Sequence, residues 1–264
     1  MTPSIKDYFI SCWKLATGKR TIEERRIADE RRRDIGPFLD SAHPLRILDL
    51  ANGRLRPQYL LLKADSQCVY GTDRINKPAS GWTDRGYQIA RWLYTRHLPF
   101  PKDISREKTL VCSDVGSLPY RDNFFDFVTS VAAFEHFLQV PAAISEMHRV
   151  MRPGGVAYIR IHLFTCLSGA HTLRFTEIPV RTIPAGVEAW DHLRKRRLPF
   201  SVPLNEWRIE QYLAAFSRHF EILKSYCAMR EGEELLTPAI AAELSNYSRE
   251  ELTCGAYVIV ARKL

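Results

Sequence analysis

The chain reads as an α/β protein, a mostly parallel sheet with helices on both faces. Three observations predict this. From about residue 45 onward, short apolar runs alternate with helical patterns. The apolar runs are near-continuous rather than alternating, as strands covered on both faces require. The first three meet an acid: Asp49 at the end of the first, Asp73 after the second, Asp114 after the third. In an open parallel sheet the ligand sits beyond the carboxyl ends of the strands, so these acids share the edge where a ligand is expected.

The elements follow in order. Residues 4–40 predict two helices, the first with Ile5, Phe9 and Trp13 on one face at helical spacing and Ile10 beside them, interrupted at Gly18. Thr21 and Glu24 read as a capping box for the second, which carries Glu/Arg pairs and ends at Gly36-Pro37. Its expected state is a solvated amphipathic helix; the other reading has Arg25, Arg26 and Arg31 to Arg33 meeting an acidic substrate. Strand one covers 46–50, and a helix over 55–63 follows through Leu55, Tyr59 and Leu62. Strand two runs from Gln67 to Thr72. A helix from Asp84 to Arg96 is read with Ile89 and Leu93 on one face, and Pro99 and Pro101 break the chain. Strands three and four cover 109–112 and 125–131. A helix over 140–151 starts at Pro141 and presents Ile144, Met147 and Met151; Pro153-Gly154-Gly155 stops it. Strand five covers 156–161. Residues 163–204 then break the rhythm with four prolines, two glycines and the run Arg194-Lys195-Arg196-Arg197. A connection this long in a compact domain reads as a lid or binding element. A helix near 205–219 and strands at 221–227 and 256–261 complete seven strands, with a short helical excursion starting at Thr237-Pro238.

Composition bounds the rest. A chain of 264 residues with 45% hydrophobic and 26% charged residues builds a real core. We expect one domain over 1–264: a helical cap over 1–44, a ligand-binding core over 45–162, a lid over 163–204 and the end of the sheet over 205–264. No apolar run is long enough to span a bilayer, and the first residues lack the layout of a secretion signal. Six scattered cysteines form no Cys-x-x-Cys pair, so reduced thiols, a cytoplasmic location and no metal site are expected. The net charge of +8 favours anionic partners. It is spread, with a net of +2 over residues 1–40 and +3 over 181–200, rather than clustered as on a dedicated nucleic-acid surface.

The candidate site follows from counting. Asp73 lies 24 residues after Asp49, near the spacing at which an acid takes a ribose diol. A carboxylate offers paired acceptors to two hydroxyls. Asp114, one strand further along, is placed to accept from an adenine amino group.

These residues carry a family resemblance. Ile47-Leu48-Asp49-Leu50-Ala51-Asn52-Gly53 resembles the first motif of the class I S-adenosylmethionine-dependent methyltransferases of the small-molecule type, a strand and acid before a Gly-x-Gly-x-Gly loop. Val69-Tyr70-Gly71-Thr72-Asp73 resembles the second motif. Cys112 to Tyr120 resembles the adenine-contacting stretch, and Phe124 to Val128 with Phe134-Glu135-His136 the fourth-strand region. Glu146 to Gly155 resembles the helix-to-turn signature before strand five. The resemblance implies a Rossmann-like, seven-stranded, mostly parallel sheet with an antiparallel last strand, a helical N-terminal extension and a lid insertion after strand five. It implies S-adenosyl-L-methionine as cofactor, held by Asp49, Ala51, Asn52, Gly53, Asp73, Arg74, Asp114, Val115 and Ser130. The chain departs from the pattern where the loop glycines become Ala51 and Leu55. Leu55 is expected either to narrow the methionine end of the site or to send the loop along another path.

The implied activity is methyl transfer to a small-molecule acceptor at oxygen or nitrogen. A nucleophile that must lose a proton needs a base, and histidine suits neutral pH. His136 after strand four and His162 at the end of strand five fall on the ligand edge and are the catalytic candidates; His171 and His192 lie in the lid. Phe164, Phe175, Trp190 and Phe200 with the four cations suit an aromatic or anionic acceptor, and equally a lid packed onto the sheet with solvated cations. Two alternatives stand: a catalytically inactive, methyltransferase-like binding protein, and an RNA methyltransferase. The place of the nucleic-acid amino-methylation motif reads Asp126-Phe127-Val128-Thr129-Ser130 and a Pro-Cys nucleophile is absent, which argues against nucleic acid. A dinucleotide dehydrogenase does not fit a loop lacking Gly-x-Gly-x-x-Gly.

Overall fold

The computed structural model describes residues 5–39, 44–66, 68–74, 82–98, 109–172, 175, 179–183, 185–197, 200 and 202–264. Seven strands are described: β1 Ile47–Leu50, β2 Val69–Asp73, β3 Leu110–Cys112, β4 Phe125–Val131, β5 Met151–Ile161, β6 Phe220–Arg230 and β7 Cys254–Lys263. They form one sheet in the order β3-β2-β1-β4-β5-β7-β6. β1 pairs in parallel with β2 and β4, β3 with β2, and β5 with β4. β7 runs antiparallel to both β5 and β6, as the resemblance implied. The seven-stranded Rossmann-like architecture is therefore the one expected.

Helices cover both faces. On one side lie α1 (Ile5–Ala16), α2 (Lys19–Ile35), α3 (Pro57–Asp65) and α4 (Trp82–Thr95). Their core contains Tyr59, Leu62 and Tyr94 against Val69, Phe127 and Tyr158 of the sheet. On the other side α5 (Val140–Val150) and α7 (Ile209–Phe216) bury Ile144, Met147 and Phe216 against Leu48, Val128 and Ile159. β1 is buried at all four positions, which explains its unbroken apolar run. A third core joins α6 (Asp191–Arg194) and its flanks to α8 (Pro238–Glu243) and α9 (Arg249–Thr253), through Leu167, Trp190, Leu236 and Leu252. No helix among the described residues is long and apolar enough to cross a membrane.

Several expectations need correction. The Thr21–Glu24 capping box does not form. α2 begins at Lys19 after Gly18, Thr21 lies inside the helix, and its hydroxyl has no partner. Nor is α2 solvated all round: Thr21, Glu24, Ala28, Arg31 and Ile35 form a buried stripe at helical spacing. Gln58 of α3 satisfies this stripe, donating to Glu24 Oε2 at 2.6 Å and accepting from Arg31 at 2.8 Å. On α1, Trp13 is exposed beneath the Lys19 ammonium and Leu15 is buried instead. On α4 Tyr94 is buried and Leu93 packs on the same core as expected, while Ile89 is exposed. Pro153-Gly154-Gly155 lies within β5, and α5 stops earlier, at Val150. Gln67, Pro99, Pro101 and the side chains of Ile5, Phe9 and Asp84 lie outside the described residues.

Candidate active site

The site starts at the loop after β1. Ala51 takes a left-handed conformation at φ 57°, as does Gly53 at φ 67°. The Asn52 N–H donates to the Thr72 carbonyl at 3.0 Å, which draws the loop across the end of β2. Gly71 makes room for this: a Cβ there would lie 2.2 Å from Asn52 Nδ2. The Gly53 N–H then donates to Asp73 Oδ2 at 2.8 Å. Arg56, also at positive φ, turns the chain into α3, with Pro57 in its first turn. Leu55 takes the second of its two expected paths only in part: it packs on the α2–α3 core and still borders the cavity.

Below the loop, Asp49 is almost wholly buried and its Oδ2 has no hydrogen-bond partner among the described residues. Burial pushes its carboxyl up to about 7; Arg31 and the Tyr59 N–H pull it back, while Glu24 and Asp73 raise it further. Both amide atoms of Asn52 are likewise buried and without a partner among the described residues. Buried polar atoms normally have partners, so orphans clustered beside a cavity mark where a polar ligand would bind.

That cavity is about 720 Å³, within the range of small-molecule sites. It runs from Asp49 and residues 51–55 past Val131 and Ala132 to His162 and His171, under α2. Tyr87 of α4 borders it and stacks on Arg54. The other expected cofactor residues, Asp73, Arg74, Asp114, Val115 and Ser130, are not among those that border it; Asp73 reaches it only through the Gly53 N–H. Ser130 is buried and donates to the Leu50 carbonyl at 3.0 Å, tying β4 to β1. Val115 packs on the α5–α7 core. Asp114 is exposed; its Oδ1 accepts from the Gly116 N–H at 2.8 Å, and Arg74 Nε lies 3.8 Å from its Oδ2. Arg149 of α5 anchors the following loop by donating to the carbonyls of Leu118 and Tyr120 at 3.0 and 2.8 Å. Glu146 completes the clamp by accepting from Leu118 N–H at 2.8 Å. This accounts for the Glu146-to-Arg149 motif as a device that shapes the loop after Asp114.

The far end holds three histidines and an acid. His136 Nδ1 lies 3.1 Å from the Pro203 carbonyl, so Nδ1 carries its proton. His162 Nε2 lies 2.7 Å from Ser168 Oγ, whose proton goes to Glu231 at 2.6 Å. His162 Nε2 is therefore protonated and Nδ1 holds the lone pair. Burial lowers His136, and lowers His162 to about 4 against an opposing Glu231. His171, in the segment after β5 at φ 52°, packs its ring 4.4 Å from His162 and 4.9 Å from His136. Glu135 is the residue the sequence reading missed. It is 2% exposed, neither carboxylate oxygen has a hydrogen-bond partner of good geometry, and burial raises its carboxyl to about 8. The available signal was an acid set between Phe134 and His136 directly after a buried strand.

The segment after β5 answers the question left open about its aromatics and cations. Phe175 and Trp190 pack in the third core, and His192 is buried, donating to the Phe164 carbonyl at 2.9 Å. Arg194 pairs with Glu243 at 2.6 Å, and Lys195 and Arg197 with Glu188 at 2.6 and 3.0 Å. These cations serve the fold of the segment.

Residues 94–159 match the family described as a methyltransferase domain. A sterol 24-C-methyltransferase of Gibberella zeae is 31% identical over 99 residues, 38% of this chain and 25% of that protein. A malonyl-[acyl-carrier protein] O-methyltransferase of Halorhodospira halophila is 29% identical over 133 residues, 50% of this chain and 39% of that protein. A demethylmenaquinone methyltransferase of Corynebacterium urealyticum is 32% identical over 80 residues, 30% of this chain and 34% of that protein. The chain thus spans between a quarter and two fifths of the length of these relatives. Among solved structures, a SAM-dependent methyltransferase from Methanosarcina mazei superposes with a TM-score of 0.51 at 17% identity, covering 87% of this chain and 96% of that one. One from Archaeoglobus fulgidus gives 0.50 at 15% identity, covering 90% and 94%; both show the fold. The strand order and the loop after β1 agree with the fold of the class I S-adenosylmethionine-dependent methyltransferases, and residues 94–159 carry the methyltransferase-domain match.

Proposed function

We propose that this protein transfers a methyl group from S-adenosyl-L-methionine to a small-molecule acceptor, at oxygen or nitrogen. The observation that carries this reading is the single cavity bordered at one end by Ala51, Asn52 and Gly53 and at the other by His162. The residues fit the cofactor: the cavity is large enough, and the buried orphan atoms of Asp49 and Asn52 lie beside the loop that would hold its methionine part. Asp73 would take the ribose and Asp114 the adenine amino group. Bound there, the cofactor supplies a methyl already activated on a sulfonium. The protein's task is then alignment, desolvation and, for a hydroxyl or amine acceptor, removal of a proton. His136 and His162 suit the last role, since burial keeps both imidazoles neutral with one lone pair available. The named relatives are a sterol 24-C-methyltransferase, a malonyl-[acyl-carrier protein] O-methyltransferase and a demethylmenaquinone methyltransferase, which supports a small-molecule acceptor. The pairing of Arg194, Lys195 and Arg197 lends no support to RNA.

Calorimetry with the cofactor and its demethylated product tests the first half of the proposal. Incubation with a panel of phenols, carboxylic acids and amines, read by mass spectrometry for one added methyl, tests the second. Binding by the wild type with turnover lost in His162→Ala is the expected result. Absence of cofactor binding would overturn it and leave the chain a methyltransferase-like binding protein.

A further inference from the structure

The cluster beyond β4 and β5 uses more ligand-type side chains than one proton transfer needs. Glu135, His162 and His171 each offer a ligand atom, and these atoms lie within 4.8 Å of one another. Both oxygens of Glu135 and Nε2 of His171 are buried and, among the described residues, have no hydrogen-bond partner of good geometry. His162 is held in one tautomer by Ser168, which Glu231 orients in turn. A histidine fixed through its other nitrogen by a hydroxyl and a carboxylate is how metal-binding imidazoles are commonly held. His136 adds a third imidazole, its unprotonated Nε2 3.9 Å from Glu135 Oε1. A bare buried carboxylate facing three imidazole rings is costly unless a cation or a proton joins them.

We propose that Glu135, His162 and His171 bind one divalent transition-metal ion of the zinc class. Two imidazole nitrogens and one carboxylate oxygen suit such ions and leave coordination positions open. With bonds of about 2.1 Å, shifts of under about 1 Å in the side chains close the set around an ion. Burial keeps the imidazoles neutral, the form that ligates. His162 and His171 border the cavity, so the open positions face an acceptor and suit one with an oxygen donor. With the ion bound, His162 is a ligand and the proton-accepting role passes to His136. Arg160 is the cation nearby, and its charge is paired with Glu30 at 3.6 Å.

The neighbouring group His162, Cys166 and Glu231 does not compete. Glu231 already accepts from Ser168 N–H and Oγ and from Val180 N–H. Burial and Glu231 hold the Cys166 thiol protonated.

The test uses the full chain stripped with a chelator and titrated with Co²⁺, followed by visible absorption, calorimetry and thermal unfolding. One equivalent bound, with a ligand-field band and a raised Tm, is expected. Glu135→Gln preserves side-chain size and His171→Asn tolerates positive φ. Each should weaken Co²⁺ binding by about tenfold or more, while Cys166→Ser should stay within about twofold. Circular dichroism checks the fold of each variant, and if one fails to fold the other decides. No saturable binding by the wild type, or unchanged affinity in a folded Glu135→Gln or His171→Asn, overturns the proposal. Methyl transfer is not read, so failure here leaves the proposed activity untouched.

Discussion

Asp73 Oδ2 accepts a 2.8 Å hydrogen bond from the Gly53 backbone, so the acid at the end of β2 shapes the loop at the end of β1. Asp73→Ala should weaken cofactor binding by about tenfold or more; the lost charged hydrogen bond alone is worth about 1.5–3 kcal/mol. Asp73→Asn retains an acceptor for Gly53 and should lose less. Calorimetry on both variants separates the roles. Equal losses would show that the charge matters and the loop contact does not.

Ala51 holds a left-handed conformation that costs an L-residue about 1–2 kcal/mol. Ala51→Gly removes that strain but gains unfolded-state entropy worth about 0.4–1 kcal/mol. The net should be a stabilisation of about 0.5 kcal/mol and a Tm higher by roughly 1–2 °C. A lower Tm by calorimetric scanning would contradict the assigned backbone conformation.

Gln58 joins Glu24 and Arg31 where both are buried. Gln58→Ala takes a hydrogen-bonding partner from each. Leaving buried charged groups short of a partner costs about 3 kcal/mol. Urea unfolding should show a loss of this order, and a loss below about 1 kcal/mol would argue against a buried network.

Asp49 is raised from 3.8 to about 7. The folded chain therefore holds this proton more tightly than the unfolded chain. Its contribution favours the native state fully below about pH 4 and is lost as pH rises to about 7. Asp49→Asn removes that dependence. Relative to the variant, the wild type should lose stability across this window, by a few kcal/mol at most, and the difference should level off above it. Denaturant unfolding at several pH values measures it. A difference that does not change with pH would mean that Asp49 is ionised at its ordinary value.

The sheet was legible because each strand is local. An apolar run of four to seven residues carries its own signal, and the acids at Asp49, Asp73 and Asp114 mark the ends. What escaped depends on partners distant in the chain. Glu24 and Arg31 look solvated until Gln58, 34 residues beyond Glu24, is folded against them. Arg194 looks like part of a binding patch until Glu243 arrives from the other side of β6. Glu135 enters the sequence only as the middle of Phe134-Glu135-His136, because only the return of the chain at His162 and His171 sets ligand-type side chains beside it. His162 itself was found because it ends a strand.

The third core has a consequence for engineering. Leu167 and Trp190, after β5, share their interior with Leu236, Leu244 and Leu252, between β6 and β7. Trp190 also donates to the Leu252 carbonyl at 3.1 Å, and Glu231 reaches back to Ser168 and Val180. This interior is thus built from two stretches separated in sequence by a helix and a strand. A chimaera that imports only residues 163–204 from a relative would leave half of that interior mismatched. The transferable module is 163–204 together with 231–253, and the sheet edge between them comes along as its hinge-pin.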